Sequence, residues 1–134
     1  MDKKEILKFI TENPMSFLAS VDGKAARVRG METFRADDKG LVFYTSKEKN
    51  VFKQIAKNPE VEACYFAKGI QVRVRGKMEI LEDTALKMEI IEKRPFLKPM
   101  YAVNTEGMGV MRLKGKATTW SMQDMGAPMT FIDL

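Results

Sequence analysis

Histidine is absent from the 134-residue chain, and cysteine and tryptophan occur once each. Without histidine there is no Ser-His-Asp or Cys-His catalysis and no His-ligated metal or haem, and one cysteine does not make a zinc site. Redox or group-transfer chemistry would then fall to a bound cofactor. The lone Cys64 sits in the apolar run Val61 to Phe66, has no disulfide partner within the chain, and reads as a small core residue in a reducing compartment. No apolar run reaches membrane-spanning length, and the start, Asp2-Lys3-Lys4-Glu5, lacks the apolar segment of a signal peptide. These absences point to a cytoplasmic protein with no membrane contact. Linkers and repeats are also missing, so residues 1–134 read as one domain, long enough to bury a core without staples.

Charge is present on both signs. Lysine and arginine number 23 against 18 acids, a net charge of +5. Such an excess suits an anionic partner, or simply a solvated surface somewhat richer in lysine than in glutamate.

Apolar spacing supplies the elements. Ile6, Leu7, Phe9 and Ile10 predict a helix over 2–13, opened by Asp2 with Glu5 and stopped by Asn13-Pro14. Met15 to Val21 predicts a strand, Asp22-Gly23 a hairpin turn, Lys24 to Phe34 the returning strand, and Leu41 to Thr45 a third. A helix over 48–57 buries Val51, Phe52, Ile55 and Ala56, and a strand follows from Val61 to Phe66. Between Ile70 and Ile80 apolar residues alternate with Gln71, Arg73, Arg75, Lys77 and Glu79, a strand with one wet face. Asp83 caps a helix carrying Leu86, Ile90 and Ile91, which Arg94-Pro95 ends, and Gly109 to Met122 predicts a last long strand. The fold class is mainly β (α+β): antiparallel strands, closed to avoid exposed edges, with peripheral helices. Among the eleven methionines, Met100, Met108, Met111, Met122, Met125 and Met129 suit either core filling or a subunit interface.

One segment carries chemistry. From Tyr44 to Ile55 a strand runs into a helix through Thr45 and Ser46, with Lys49, Asn50 and Lys53 just beyond. Free amides, hydroxyls and an ammonium at a helix start hold a phosphate. The same residues also satisfy a different reading, since Thr45-x-x-Glu48 is a capping box that would use those donors internally. Arg27 and Arg29 share a strand face with Met31, and core packing does not explain the pair. Trp120 lies on the polar face of its strand, where a planar ligand or another chain would cover it.

Taken in order, Phe17-Leu18-Ala19-Ser20-Val21-Asp22-Gly23, Arg27-Val28-Arg29, Gly40-Leu41-Val42-Phe43-Tyr44-Thr45-Ser46, Lys49 to Ile55, Asn58-Pro59-Glu60-Val61 and Gln71-Val72-Arg73-Val74-Arg75-Gly76 resemble the pyridoxamine 5'-phosphate oxidase-like FMN-binding split-barrel family. The match runs over about residues 15 to 82. The resemblance implies a split β-barrel homodimer with FMN in clefts between subunits. It implies that the strand Arg27 to Met31, Gly30 included, lies along the flavin ring, with Arg29 reaching the cofactor. Tyr44, Thr45, Ser46, Lys49 and Asn50 would hold the phosphate, Gln71 would approach from the partner subunit, and Trp120 would lie near the cleft.

The chain also departs from that pattern. Phe34 and Lys49-Asn50 stand where the oxidase proper has a phosphate-binding lysine and a serine-arginine pair, and the end, Pro128 to Leu134, lacks its Arg-Leu-His-Asp-Arg tail. The expectation is therefore not vitamin B6 oxidation. It is a short, flavin reductase-like or nitroimidazole reductase-like member: an FMN-dependent oxidoreductase acting by hydride transfer on a small substrate, with an electron donor such as NAD(P)H and no assigned catalytic acid or base. The alternatives are a nucleic-acid-binding barrel using Arg73, Arg75, Lys77, Arg112, Lys114 and Lys116, or the same fold with deazaflavin F420.

Overall fold

In the computed structural model, which describes residues 1–101 and 104–134, the elements run α1 (Lys3–Glu12), β1 (Met15–Asp22), β2 (Ala25–Asp37), β3 (Gly40–Ser46), α2 (Asn50–Lys57), β4 (Glu60–Ala67), β5 (Ile70–Leu81), α3 (Thr84–Lys93), α4 (Lys98–Tyr101), β6 (Met108–Leu113), β7 (Lys116–Ser121) and β8 (Ile132–Asp133). Single 3-10 turns lie at Pro95–Leu97 and Thr105–Gly107. As expected, Asp2 and Glu5 form a reciprocal capping box on α1, and the Asp83 carboxylate accepts from the Leu86 amide on α3. None of these helices is long and apolar enough to cross a membrane.

The strands are antiparallel, in the order β4-β1-β2-β3-β6-β5, and a β4–β5 pairing closes the ring into a six-stranded barrel. β7 and β8 are added outside that ring. The chain thus has the closed antiparallel barrel that its alternating strands imply and the split-barrel layout that the resemblance implies.

Two sequence expectations need correction. Asp22 pairs with Ala25, so the first hairpin loop is Gly23-Lys24 and not Asp22-Gly23; the glycine stands at the first loop position with φ +63°, where a primed turn demands it. The expected last strand is two strands. The alternation does carry through, because Arg112 pairs with Glu79 and Lys116 with Arg75 on the same side of β5. The chain nevertheless breaks at Lys114-Gly115, since β6 lies along Met78 to Leu81 while β7 lies along Ile70 to Arg75.

Inward side chains of the barrel, among them Leu18, Phe43, Ala63, Tyr65, Val72, Val74, Met111 and Leu113, pack with Ile6, Phe9 and Ile10 of α1 and Val51 and Ile55 of α2. A second cluster lies outside, where Val42, Met108 and Val110 meet Leu86, Ile90 and Ile91 of α3 together with Leu97 and Tyr101. The methionines divide the same way: Met108 and Met111 fill core, whereas Met100, Met122, Met125 and Met129 are exposed.

Tyr65 is buried, with its hydroxyl 2.5 Å from that of Thr33. Burial pushes its phenol up to about 12 from the ordinary 10.0. The folded state therefore holds this proton more tightly than the unfolded chain does, so its contribution is complete below pH 10 and disappears as pH rises through about 12. Urea titrations should show stability falling by about 2–3 kcal/mol across that window. Tyr65→Phe should remove that part of the slope.

Candidate functional site

Where β2 and β3 run side by side, Arg29, Gly30, Met31, Tyr44, Thr45 and Ser46 line a cleft of about 310 Å³ with Lys49 from the loop before α2. Phe96, Leu97, Met100 and Tyr101 form its other wall, and Val51 and Glu32 complete the lining. The lining combines cationic and hydroxyl side chains with apolar and aromatic ones, and Glu32 is its one acid. Gly30 leaves room above its strand, since a Cβ there would meet only the Ser16 carbonyl, at 3.9 Å.

The loop between β3 and α2 decides between the two readings of Thr45 and Ser46. α2 begins at Asn50, its N-cap is Lys49, and no side chain caps it. The expected start at 48 and the Thr45-x-x-Glu48 capping box are therefore not present. Both hydroxyl residues belong to β3, and a turn separates them from the helix: the Ser46 carbonyl accepts from the Lys49 amide at 3.1 Å, and the Ser46 hydroxyl from the Glu48 amide at 3.3 Å. The Glu48 side chain is exposed and makes no hydrogen bond or salt bridge among the described residues. Thr45 and Lys49 likewise have no side-chain partner there, which leaves a hydroxyl and an ammonium aimed at the cleft.

Lys47 anchors this loop. Its amide donates to the Gly107 carbonyl at 2.9 Å and its ammonium to Glu82 at 2.8 Å. Glu82 also pairs with Lys87, whose side chain is buried. Hydrogen bonds from these two lysines hold the Glu82 carboxyl below its ordinary range.

Arg29 forms the back of the cleft and is itself clamped. Its guanidinium donates to the Leu18 carbonyl at 3.0 Å, the Ser20 hydroxyl at 2.8 Å and Gln54 Oε1 at 2.7 Å. Ser20 in turn donates to Gln54 at 2.7 Å. Burial lowers the Arg29 pKa, so the cation is partly desolvated and pre-positioned. Sequence reasoning missed Ser20 and Gln54; inward parity with Leu18 was the available signal for Ser20.

The other expected residues lie elsewhere. Arg27 and Asn50 line a neighbouring groove with Arg29, Lys53, Gln54 and Lys57. Gln71 and Trp120 are register partners on β5 and β7, and they face a separate hollow of about 360 Å³ with Arg73, Thr118, Met125 and Met129. The cations of the nucleic-acid reading are in part neutralised or covered: Arg73 pairs with Glu62, Lys77 with Glu60, Lys116 with Asp133, and Arg75 stacks on Phe131.

The apolar wall was also missed, because the Pro95 to Pro99 stretch reads only as a helix stop. It is held by Arg94, which bonds Glu32 through Nε at 2.7 Å and lies over the Phe34 ring. That bond raises the Arg94 pKa. Burial, with the Glu32 charge beside it, raises the Tyr44 phenol pKa. Glu32→Ala should cost about 1–2 kcal/mol in urea unfolding and free the wall. Faster hydrogen exchange over residues 95–101 is the expected sign.

The pyridoxamine 5'-phosphate oxidase family model matches residues 2–120. The chain belongs to that family. No curated protein matched it. A NimC/NimA family protein from Clostridium acetobutylicum superposes with a TM-score of 0.80 at 28% identity, covering 98% of this chain and 93% of that one. A putative pyridoxamine 5'-phosphate oxidase from Listeria innocua gives a TM-score of 0.73 at 19% identity, covering 90% and 97%. A heme binding protein from Mycobacterium smegmatis gives 0.76 at 12% identity, covering 98% of this chain and 57% of that one. The last two share the fold, and a ligand does not follow from the likeness.

Proposed function

We propose that the protein is a single-domain, cytoplasmic FMN-binding homodimer that acts as a flavin-dependent oxidoreductase on a small substrate. The observation that carries this reading is that Arg29, Thr45, Ser46 and Lys49 line one cleft together with Phe96, Leu97, Met100 and Tyr101. That donor set fits a phosphate, and the apolar wall fits a planar ring. FMN, when bound, supplies hydride transfer at its N5 atom. The chain supplies position and charge: Thr45, Ser46 and Lys49 anchor the phosphate, with Asn50 nearby, and the clamped Arg29 places a fixed cation beside the ligand.

The homodimer draws support from the outer face of the sheet. Phe17, Val28 and Phe66 are 63%, 68% and 56% exposed, and Trp120 is 39% exposed. Phe17 pairs with Gly30 and Phe66 with Gln71, so register places these side chains on one outward face with Gln71 and Trp120. A second copy would cover that face and bring its Gln71 and Trp120 to the open side of the cleft. NADH or NADPH is the proposed electron donor.

The test is gel filtration of the purified protein with excess FMN, followed by fluorescence titration and anaerobic reduction with each nicotinamide. Flavin co-eluting at a dimer's mass with altered fluorescence is the expected result. Free flavin that elutes apart, with unchanged emission, overturns the reading.

A further inference from the structure

The hollow on the outer face of β5 and β7 holds donors that the fold leaves without partners. Val72 and Val74 point into the core, so Gln71 and Arg73 point out, and their register partners Trp120 and Thr118 stand beside them on the same face. Met125 and Met129, from the chain between β7 and β8, join the lining. Arg73 is the only cation there, and the lining holds no acid. Its guanidinium is only partly engaged: Glu62 pairs with Nη1 at 3.3 Å, while Nε is buried with no hydrogen-bond partner among the described residues. A buried donor without a partner is costly, and a ligand that accepts from this guanidinium offsets that cost. Thr118 is 8% exposed and its hydroxyl makes no hydrogen bond among the described residues. Gln71 accepts from Cys64 Sγ at 3.8 Å through Oε1, which leaves its amide N–H groups free to donate. Trp120, the only tryptophan in the chain, offers a flat surface next to these donors, and the methionines are soft enough to shape to a ring.

We propose that this hollow of about 360 Å³ is the substrate pocket and takes a flat ring bearing one carboxylate, with the ring against Trp120 and the carboxylate accepting from Arg73, Gln71 and Thr118. The proposal rests on the flavin homodimer, in which Gln71 and Trp120 come to the open side of the other copy's cleft, and it names the substrate class of that site. Charge selects the anion. One guanidinium, already shared with Glu62, balances a single negative charge, and no lysine lines the hollow to hold a phosphate dianion. A planar carboxylate also matches the planar fork of the guanidinium. Arg73 is therefore the residue that sets specificity.

Benzoate and its neutral isostere benzamide would be titrated into the FMN-loaded protein, followed by Trp120 emission and by the flavin absorption band, on wild type, Arg73→Gln and Arg73→Lys. Arg73→Lys keeps a cation opposite Glu62, so it reads the site if Arg73→Gln does not fold. The expected result is that benzoate binds the wild type about tenfold more tightly than benzamide and shifts the flavin band, and that both variants lose the difference. Equal affinities for the two ligands, a preference that survives in the variants, or no response to either ligand overturns the proposal. Benzoate that moves Trp120 emission but leaves the flavin band unchanged also overturns it, because the anion then sits apart from the cofactor. If FMN itself does not bind, the flavin reading fails on its own, and the same pair of ligands titrated into the flavin-free protein decides the hollow: a preference for benzoate that needs Arg73 upholds the carboxylate site, and none removes it.

Discussion

Gly115→Ala should destabilise the protein by about 3 kcal/mol or more, a large loss for one added methyl group. At the branch of the split barrel, β6 and β7 share the same edge of β5 end to end, and the chain passes between them at Lys114-Gly115. A Cβ on Gly115 would lie 2.0 Å from the Arg75 carbonyl oxygen and 2.8 Å from its carbon, and both are backbone atoms that a rotamer change does not move. Gly76 faces it across the same contact, where a Cβ would come 3.1 Å from Gly115 Cα. Relief therefore requires moving β5 away from the corner, which would pull on β6 and β7 together. The Gly115 carbonyl also accepts from the Leu134 amide at 3.0 Å, so the chain end would be disturbed as well. Urea midpoints against Gly126→Ala, a site with nothing within 4 Å of the added methyl, provide the comparison. If both variants unfold at the wild-type midpoint, the corner is not the constraint described.

Nothing in the local pattern around Gly115 announces that corner. Hydrophobic alternation survives the break because residues 112 and 116 have the same parity, so a period of two continues through a point where the strand does not. Most of the barrel was legible for the complementary reason: alternation, hairpin glycines and caps are all local signals, and β1 to β5 follow them closely. Which strand closes on which depends on long-range pairing. The β4–β5 closure and the sharing of β5 by two partners leave no trace in a sequence window.

The site divides in the same way. Arg29, Thr45, Ser46 and Lys49 were visible as residue types suited to an anion, and the fold brings them together. The residues that position them were not visible. Gln54 lies in an ordinary amphipathic helix, and only the packing of α2 against β1 and β2 turns its amide toward Arg29 and Ser20. Phe96, Leu97 and Met100 sit in a proline-interrupted stretch, where the 3-10 turn and the Arg94–Glu32 bond fold them over the cleft. Arg27 shares the face of Arg29 but falls outside the cleft, because two residues along a strand amount to about 6–7 Å.

That division yields the second large effect, a Thr45→Ala/Lys49→Ala variant that should bind FMN about 100- to 1,000-fold more weakly while unfolding within about 0.5 kcal/mol of wild type. Both side chains point to the cleft without partners among the described residues, so their removal orphans nothing in the protein. Arg29→Lys should act differently. Keeping the charge does not keep the fork that reaches Leu18, Ser20 and Gln54 at once, so stability and FMN affinity should fall together. Riboflavin separates an anchor for phosphate from a general weakening of the cleft. It lacks the phosphate, so its affinity should be the same for wild type and the Thr45/Lys49 variant within about twofold. A parallel loss of riboflavin and FMN would move the phosphate away from Thr45 and Lys49.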